Sequence, residues 1–215
     1  MKNKHNLLFA MLYFISIFVG YVAVFFNPLF KNIYYGHITY VFESLIKIII
    51  YILEIVLLDT IYKKIYKEEI KKEKKELPIK KTITLYFITI FFITLISILS
   101  GWQLKPLSDL GDKYTILKIY DKLCDVAILS FEIYIMMKIF VHFDKFYSSN
   151  FKSFKYFTFS IFLVLLTYGI YRLILDFSIY QFVFIPFIVL LGFIYPYTEK
   201  SFWKTYLIAL LVFLF

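Results

Sequence analysis

The sequence predicts an all-α fold, a polytopic transmembrane helical bundle of about seven spans with a cytoplasmic N-terminus. Hydrophobic residues make up 61% of the 215 residues and charged residues only 18%. A globular domain of this size needs a more polar exterior, so lipid is expected to be the solvent for much of the chain. The length suits one domain. We therefore expect residues 1–215 to form a single integral membrane domain, multi-pass in the cell membrane and in contact with the lipid bilayer.

Long apolar segments recur along the whole chain. A helical span needs about 20 mostly apolar residues, and helices are expected because the runs are too long and too apolar for barrel strands. The first segment precedes NPLFKN instead of a small-residue cleavage site, so we interpret it as a span and not as a signal peptide. The last has 14 residues, which leaves open whether it crosses fully. The predicted spans are 7–26, 39–61, 82–100, 115–142, 156–176, 178–196 and 202–215.

The lysines between spans predict the orientation of the bundle. With the N-terminus inside, sixteen lysines fall on the cytoplasmic side and three on the outer side. Such an excess is typical of cytoplasmic loops, so the sequence favours a cytoplasmic N-terminus and an outer C-terminus. The outer lysines are Lys31, Lys105 and Lys113.

The lysine-rich connection at residues 63–81 joins spans two and three and is predicted to be cytoplasmic. It contains KKIYKEEIKKEKKELPIKK and is expected to extend the second helix until Pro78. A basic cluster of this kind can attract anionic lipid headgroups. Four glutamates dilute its charge, so we favour a topology determinant with a solvated face. Nucleic-acid binding is not expected, because no basic and aromatic groove pattern occurs outside the predicted membrane segments.

The stretch DKLCDVAILSFEIYIMMK places charged residues inside the fourth span. Lys118, Asp121, Asp125 and Glu132 fall within roughly 60° of one another on a helix, in a stripe about 21 Å long. Ionisable groups in a span usually face the bundle interior or a wet cavity. We therefore expect this stripe to face inward. Glu132 is the sharpest case because its sequence neighbours are apolar.

The second and fifth spans carry charges as well. Glu43, Lys47 and Glu54 share one face of the second span within about 40°, whereas Asp59 points the other way near the cytoplasmic end, where water can reach it. Arg172 and Asp176 are spaced i, i+4 on the fifth span, the distance at which opposite charges meet. The charged faces are expected to pack together, either as structural ion pairs or as a functional site.

Several chemistries lack the residues that they require. Cys124 is the single cysteine, so an intrachain disulfide is excluded, and we interpret it as a buried bystander. The histidines are His5, His37 and His142, and His142 is expected at the membrane interface. The chain contains neither a Gly-rich phosphate loop nor a Cys/His cluster with metal-ligand spacing. We predict no cofactor, no metal and no catalytic residue.

Two stretches resemble the CPBP family of CAAX proteases and bacteriocin-processing enzymes. PFIVLLGFIYPYTEKSFWKTYLIALL is similar to the last helices of the family, and AILSFEIYIMMK is similar to its Glu-Glu helix. On that alignment Glu132 matches the second glutamate, Phe131 replaces the first, and Met136 replaces the arginine. The matching positions of the C-terminal stretch are Gly192, Tyr195 or Tyr197, Thr198, Ser201 and Trp203.

The resemblance implies a degenerate member without the catalytic histidines. The first family histidine corresponds to Tyr168 or Arg172 here, and the last falls near Ala209. A non-catalytic protein that binds a membrane partner or hydrophobic peptide is then expected, acting in bacteriocin self-immunity or as an accessory membrane subunit. The alternatives are a small transport subunit or ion-coupled carrier that uses the charged seams on spans two and four, and a membrane enzyme with carboxylates alone.

Overall fold

The computed structural model describes residues 2–19, 37–66, 79–99, 116–150, 158, 160–166 and 179–214. Of the residues described, 96% are helical and none forms a strand, which confirms the all-α class. One described helix, over Lys122–Asn150, is long and apolar enough to cross a membrane. The arrangement with seven spans stays a prediction.

The described helices overlap all seven predicted apolar segments, although the helix in the fifth covers only Ser160–Val164 of the predicted span 156–176. The second ends with Lys63 and Lys64 in its last turn, where positive charge complements the helix dipole. The fourth continues to Asn150, eight residues beyond the predicted span. Most of the lysine-rich connection lies outside the described residues. The helices are α1 (Lys2–Val19), α2 (His37–Tyr66), α3 (Ile79–Leu99), α4 (Ile116–Asn150), α5 (Ser160–Val164), α6 (Ile179–Tyr197) and α7 (Phe202–Leu214).

A tight turn joins α6 to α7 and is anchored on α4. Glu199 and Lys200 have left-handed backbone conformations, with φ of 56° and 60°. The backbone N–H of Lys200 donates to the carbonyl oxygen of Tyr195 at 2.9 Å, which satisfies an acceptor at the end of α6. The Lys200 ammonium reaches the buried carboxylate of Asp144 at 3.0 Å. This ion pair holds the turn beside the C-terminal half of α4.

The long helix α4 lies at the centre, with α1 and α2 packed along it. Contacts run in the same chain direction between α2 and α4, since Lys47 meets Glu132 and Asp59 meets Lys138. Between α1 and α2 they run in opposite directions, because His5 lies beside Tyr66 whereas Tyr13 reaches Asp59. A chain that crosses a bilayer at each predicted span requires these same relative directions for its first, second and fourth spans.

Exposed apolar stripes run along the outside of the helices. On α2 the stripe extends from Phe42 to Ile61, which is about 28 Å at 1.5 Å per residue. On α3 the side chains of Tyr86 and Phe87 are 68% and 70% exposed. The α2 stripe consists of Phe42, Leu45, Ile49, Ile52, Leu53, Val56, Leu57 and Ile61.

Candidate functional site

The carboxylate of Asp59 on α2 accepts hydrogen bonds from two other helices. The Tyr13 hydroxyl on α1 donates to Oδ1. From α4, the Tyr134 hydroxyl donates to Oδ2 at 2.8 Å, and the Lys138 ammonium donates to Oδ1 at 2.6 Å. We call these four residues the Asp59 cluster. It joins three helices through one charged acceptor.

The Lys138 ammonium is enclosed by aromatic rings as well as by Asp59. It lies 5.1 Å from the ring centroid of Tyr134 and 5.2 Å from that of Phe202 on α7. These are distances at which a cation is attracted to the face of an aromatic ring. Tyr134 and Lys138 are four residues apart, so they share one face of α4. The Asp59 cluster therefore compensates both of its charges and extends toward α7.

A second charged pair, Glu132 with Lys47, lies farther along the seam between α2 and α4. The Lys47 ammonium donates to Glu132 Oε1 at 3.3 Å, and the Tyr51 hydroxyl lies 3.4 Å from the same oxygen. The Glu132 side chain is 4% exposed. This position agrees with the predicted inward direction of Glu132 and gives its carboxylate a cationic neighbour on α2.

His142 lies in an aromatic layer next to the Asp59 cluster. Its ring stacks on Phe9 and Tyr13, with centroids 5.8 and 5.5 Å away, and meets Tyr62 edge-on at 4.7 Å. The residue is buried, and its Nδ1 atom has no hydrogen-bond partner among the described residues. Packing of α1 against α4 thus covers the imidazole, and its expected position at the membrane interface stays a prediction.

The remaining predicted residues of α4 lie at different places. Asp125 forms an ion pair at 3.8 Å with Lys122 on its own helix, and its side chain is 42% exposed. The structure places Lys118 and Asp121 in the first two turns of α4 and does not describe their side chains. Of the predicted stripe, Glu132 is therefore the residue that the structure shows buried between helices.

The charged residues predicted on the second and fifth spans also lie in different surroundings. Glu43 and Glu54 are partly buried on α2. The Oε2 atom of Glu54 is buried without a hydrogen-bond partner among the described residues. Arg172 and Asp176 lie outside the described residues.

Sequence reasoning missed the Asp59 cluster because it assigned Asp59 to the opposite face of α2. The sequence separation of the contacting residues is 85 for Lys47 with Glu132 and 79 for Asp59 with Lys138. Because the two values differ, placing the first pair does not identify Lys138 as the counterpart of Asp59, and the sequence carries no direct signal for this contact.

Comparison with known proteins identifies no relative of the chain. No family model matches it, and neither the curated proteins nor the solved structures give a match. The resemblance to the CPBP family stays a prediction from the sequence. In the part of the chain that the structure describes, no three His, Cys, Asp or Glu side chains come together as metal ligands would.

Proposed function

We propose that the protein is a non-catalytic, multi-pass membrane protein of CPBP-like type that binds a membrane partner or a hydrophobic peptide. The observation that carries this proposal is the ion pair of Glu132, whose carboxylate lies 3.3 Å from the Lys47 ammonium. Glu132 is also the residue that matches a family glutamate in the resemblance. A glutamate that activates water must be able to accept its proton. In this structure Glu132 Oε1 already faces the Lys47 ammonium and the Tyr51 hydroxyl, so the carboxylate is engaged in a contact between α2 and α4.

The exposed apolar stripes support a bilayer environment. Monomeric soluble proteins rarely expose contiguous apolar patches larger than a few hundred Å². The α2 stripe alone contains eight large hydrophobic residues and is about 28 Å long, close to the hydrocarbon thickness of about 30 Å. Similar stripes on α1, α3 and α7 extend this surface around the bundle. Lipid on the outside and ion pairs on the inside fit the usual distribution for membrane helices.

The positions of the lysines support a cytoplasmic N-terminus. His5, next to Lys4 at the start of α1, lies beside Tyr66 at the end of α2. The ammonium of Lys145 on α4 donates to Tyr62 nearby, at 2.9 Å. These three helix ends therefore lie together and carry lysines, the pattern typical of the cytoplasmic side.

A small transport subunit or ion-coupled carrier is the alternative function. The observation that favours it is the succession of two ion pairs along the α2/α4 seam, Lys47 with Glu132 and Lys138 with Asp59. Intramembrane charges of this kind occur in ion pathways. Carriers also commonly use pairs of broken helices in repeated halves of the chain. Among the described helices, α6 is the one with prolines in its interior, so the described residues do not show such a pair. Binding without transport is therefore the preferred proposal.

Reconstitution of the full chain into liposomes tests both functions. The probe is an uncharged Leu/Ala transmembrane peptide. Fluorescence transfer measures its binding, gel analysis detects its cleavage, and a pH dye enclosed in the liposomes detects proton flux. We expect binding without cleavage or flux, and equal binding by Glu132→Gln. The matched control is Asp125→Asn, which alters a partly exposed carboxylate of the same helix. Cleavage or proton flux that Glu132→Gln abolishes would contradict the proposal.

A further inference from the structure

Glu54 is a carboxylate that the described helices leave without a counterion. It lies near the middle of α2, and its Oε2 atom is buried without a hydrogen bond among the described residues. Asp59 on the same helix accepts three donors, and Lys47 is engaged with Glu132. Among the described residues, Asp59 and Lys47 thus have oppositely charged partners, while Glu54 has none.

The side chain of Glu54 lies at the border between the packed and exposed faces of α2. Tyr51, about 60° to one side, is completely buried against α4. Leu57, about 60° to the other side, is 59% exposed. Among the described helices, the main packing partners of α2 are α1 and α4, and α1 contacts the far side through Asp59. The flank that carries Glu54 therefore adjoins the outer apolar stripe.

In the bilayer of the proposed function, Glu54 lies away from both membrane surfaces. Within the exposed stripe of α2, Glu54 is about 18 Å from the Phe42 end and about 10 Å from the Ile61 end along the helix axis. A charged side chain near the centre of a bilayer is costly and normally pairs with another charge. A wholly apolar partner helix packed against this flank would leave the Glu54 carboxylate without a counterion, and so would the hydrocarbon chains of a lipid.

We infer that the Glu54 flank of α2 binds a transmembrane helix that carries a lysine or arginine near its midpoint. This inference rests on the proposed function and specifies the chemistry of its partner. Charge complementarity decides the occupant, because a basic side chain compensates Glu54 while the rest of the helix covers Leu53 and Leu57. A second copy of the chain does not fit, because a two-fold interface along this flank brings one Glu54 toward the other.

The experiment uses the full chain in bilayers with three synthetic transmembrane helices. They share one Leu/Ala sequence and have Lys, Leu or Glu at the central position. Fluorescence transfer measures binding to the wild-type chain, to Glu54→Gln and to Glu54→Lys. Thr60→Val, an exposed change on the same helix, is the matched control. We expect the wild type to prefer the Lys helix over the Leu helix by about 5- to 30-fold.

The two substitutions at Glu54 separate charge pairing from general packing. Glu54→Gln should bind the Lys and Leu helices equally, and Glu54→Lys should prefer the Glu helix. Thr60→Val should keep the preference of the wild type. Equal binding of all three helices by the wild type, or a preference that survives in Glu54→Gln, overturns this inference and leaves the binding function intact. Binding of none of the helices overturns the inference and the proposed function together.

Discussion

Lys138 of α4 and Asp59 of α2 form a 2.6 Å ion pair in which each side chain is 20% exposed. Asp59 also accepts hydrogen bonds from the hydroxyls of Tyr13 and Tyr134. One carboxylate thus connects three helices whose remaining contacts are largely apolar. Such a cluster fixes how the helices are aligned, because sliding α2 against α4 by one turn would separate Asp59 from Lys138, and sliding α1 would break the Tyr13 hydrogen bond.

Removing Lys138 should be more damaging than removing both charges. Lys138→Met leaves the Asp59 carboxylate with hydroxyl donors alone, and we expect the free energy of unfolding to fall by about 3 kcal/mol. Adding Asp59→Asn to that variant should recover at least about 1 kcal/mol, since the neutral amide keeps an acceptor for the tyrosines. Steric-trapping measurements in bicelles give these free energies.

The control for this cycle is Lys122→Met, which affects a 3.8 Å pair with a 42% exposed Asp125. Its expected cost is about 0–1 kcal/mol. The cycle also needs the single variant Asp59→Asn. If the double variant loses as much free energy of unfolding as Lys138→Met and Asp59→Asn lose together, Lys138 and Asp59 do not interact.

The Tyr13 hydroxyl should contribute measurably to the packing of α1. Tyr13→Phe removes one donor to Asp59 and keeps the ring that stacks on His142, so we expect a loss of about 0.5–1.5 kcal/mol in unfolding free energy. The control Tyr86→Phe alters a hydroxyl on a 68% exposed side chain of α3 and should change nothing. Equal effects of the two substitutions would contradict the role of Tyr13.

Chemical cross-linking should report the alignment of α1 with α2. In a Cys124→Ala background, cysteines at Phe9 and Tyr62, whose ring centroids lie 5.0 Å apart, should be joined efficiently by a short bismaleimide. Cysteines at Leu8 and Tyr62 form the control, because Leu8 is 53% exposed on another face of α1. Gel mobility measures the yield. Faster cross-linking of the control pair would require a different packing of α1.

The helices were predictable because most of the long apolar runs in the sequence each correspond to one helix of similar length. Segments 82–100 and 178–196 correspond to α3 over Ile79–Leu99 and α6 over Ile179–Tyr197. Helix ends were less predictable, since α4 continues beyond residue 142 with polar residues that suit an end in water. The left-handed turn at Glu199 and Lys200 gave no signal, because neither residue type prefers that conformation.

The Asp59 cluster escaped prediction because a straight helical stripe is a poor guide to a packed seam. Lys47, Tyr51 and Asp59 are separated by multiples of four residues, and Tyr134, Lys138 and His142 follow the same spacing on α4. Ridges of this spacing are inclined by about 26° to the helix axis. The contact line therefore winds across the face of α2 and reaches Asp59, which lies far from Glu43 on a helical projection.

Spin labels on the outer stripes test the central claim, a helical bundle surrounded by lipid, most directly. With the full chain in bilayers, labels at Val56 and Phe87, which are 58% and 70% exposed, should collide more with oxygen than with a water-soluble nickel chelate. A label at the exposed Lys64, beyond the predicted second span, should show the reverse. Nickel collisions at Val56 and Phe87 as frequent as those at Lys64 would place these stripes in water and contradict the account.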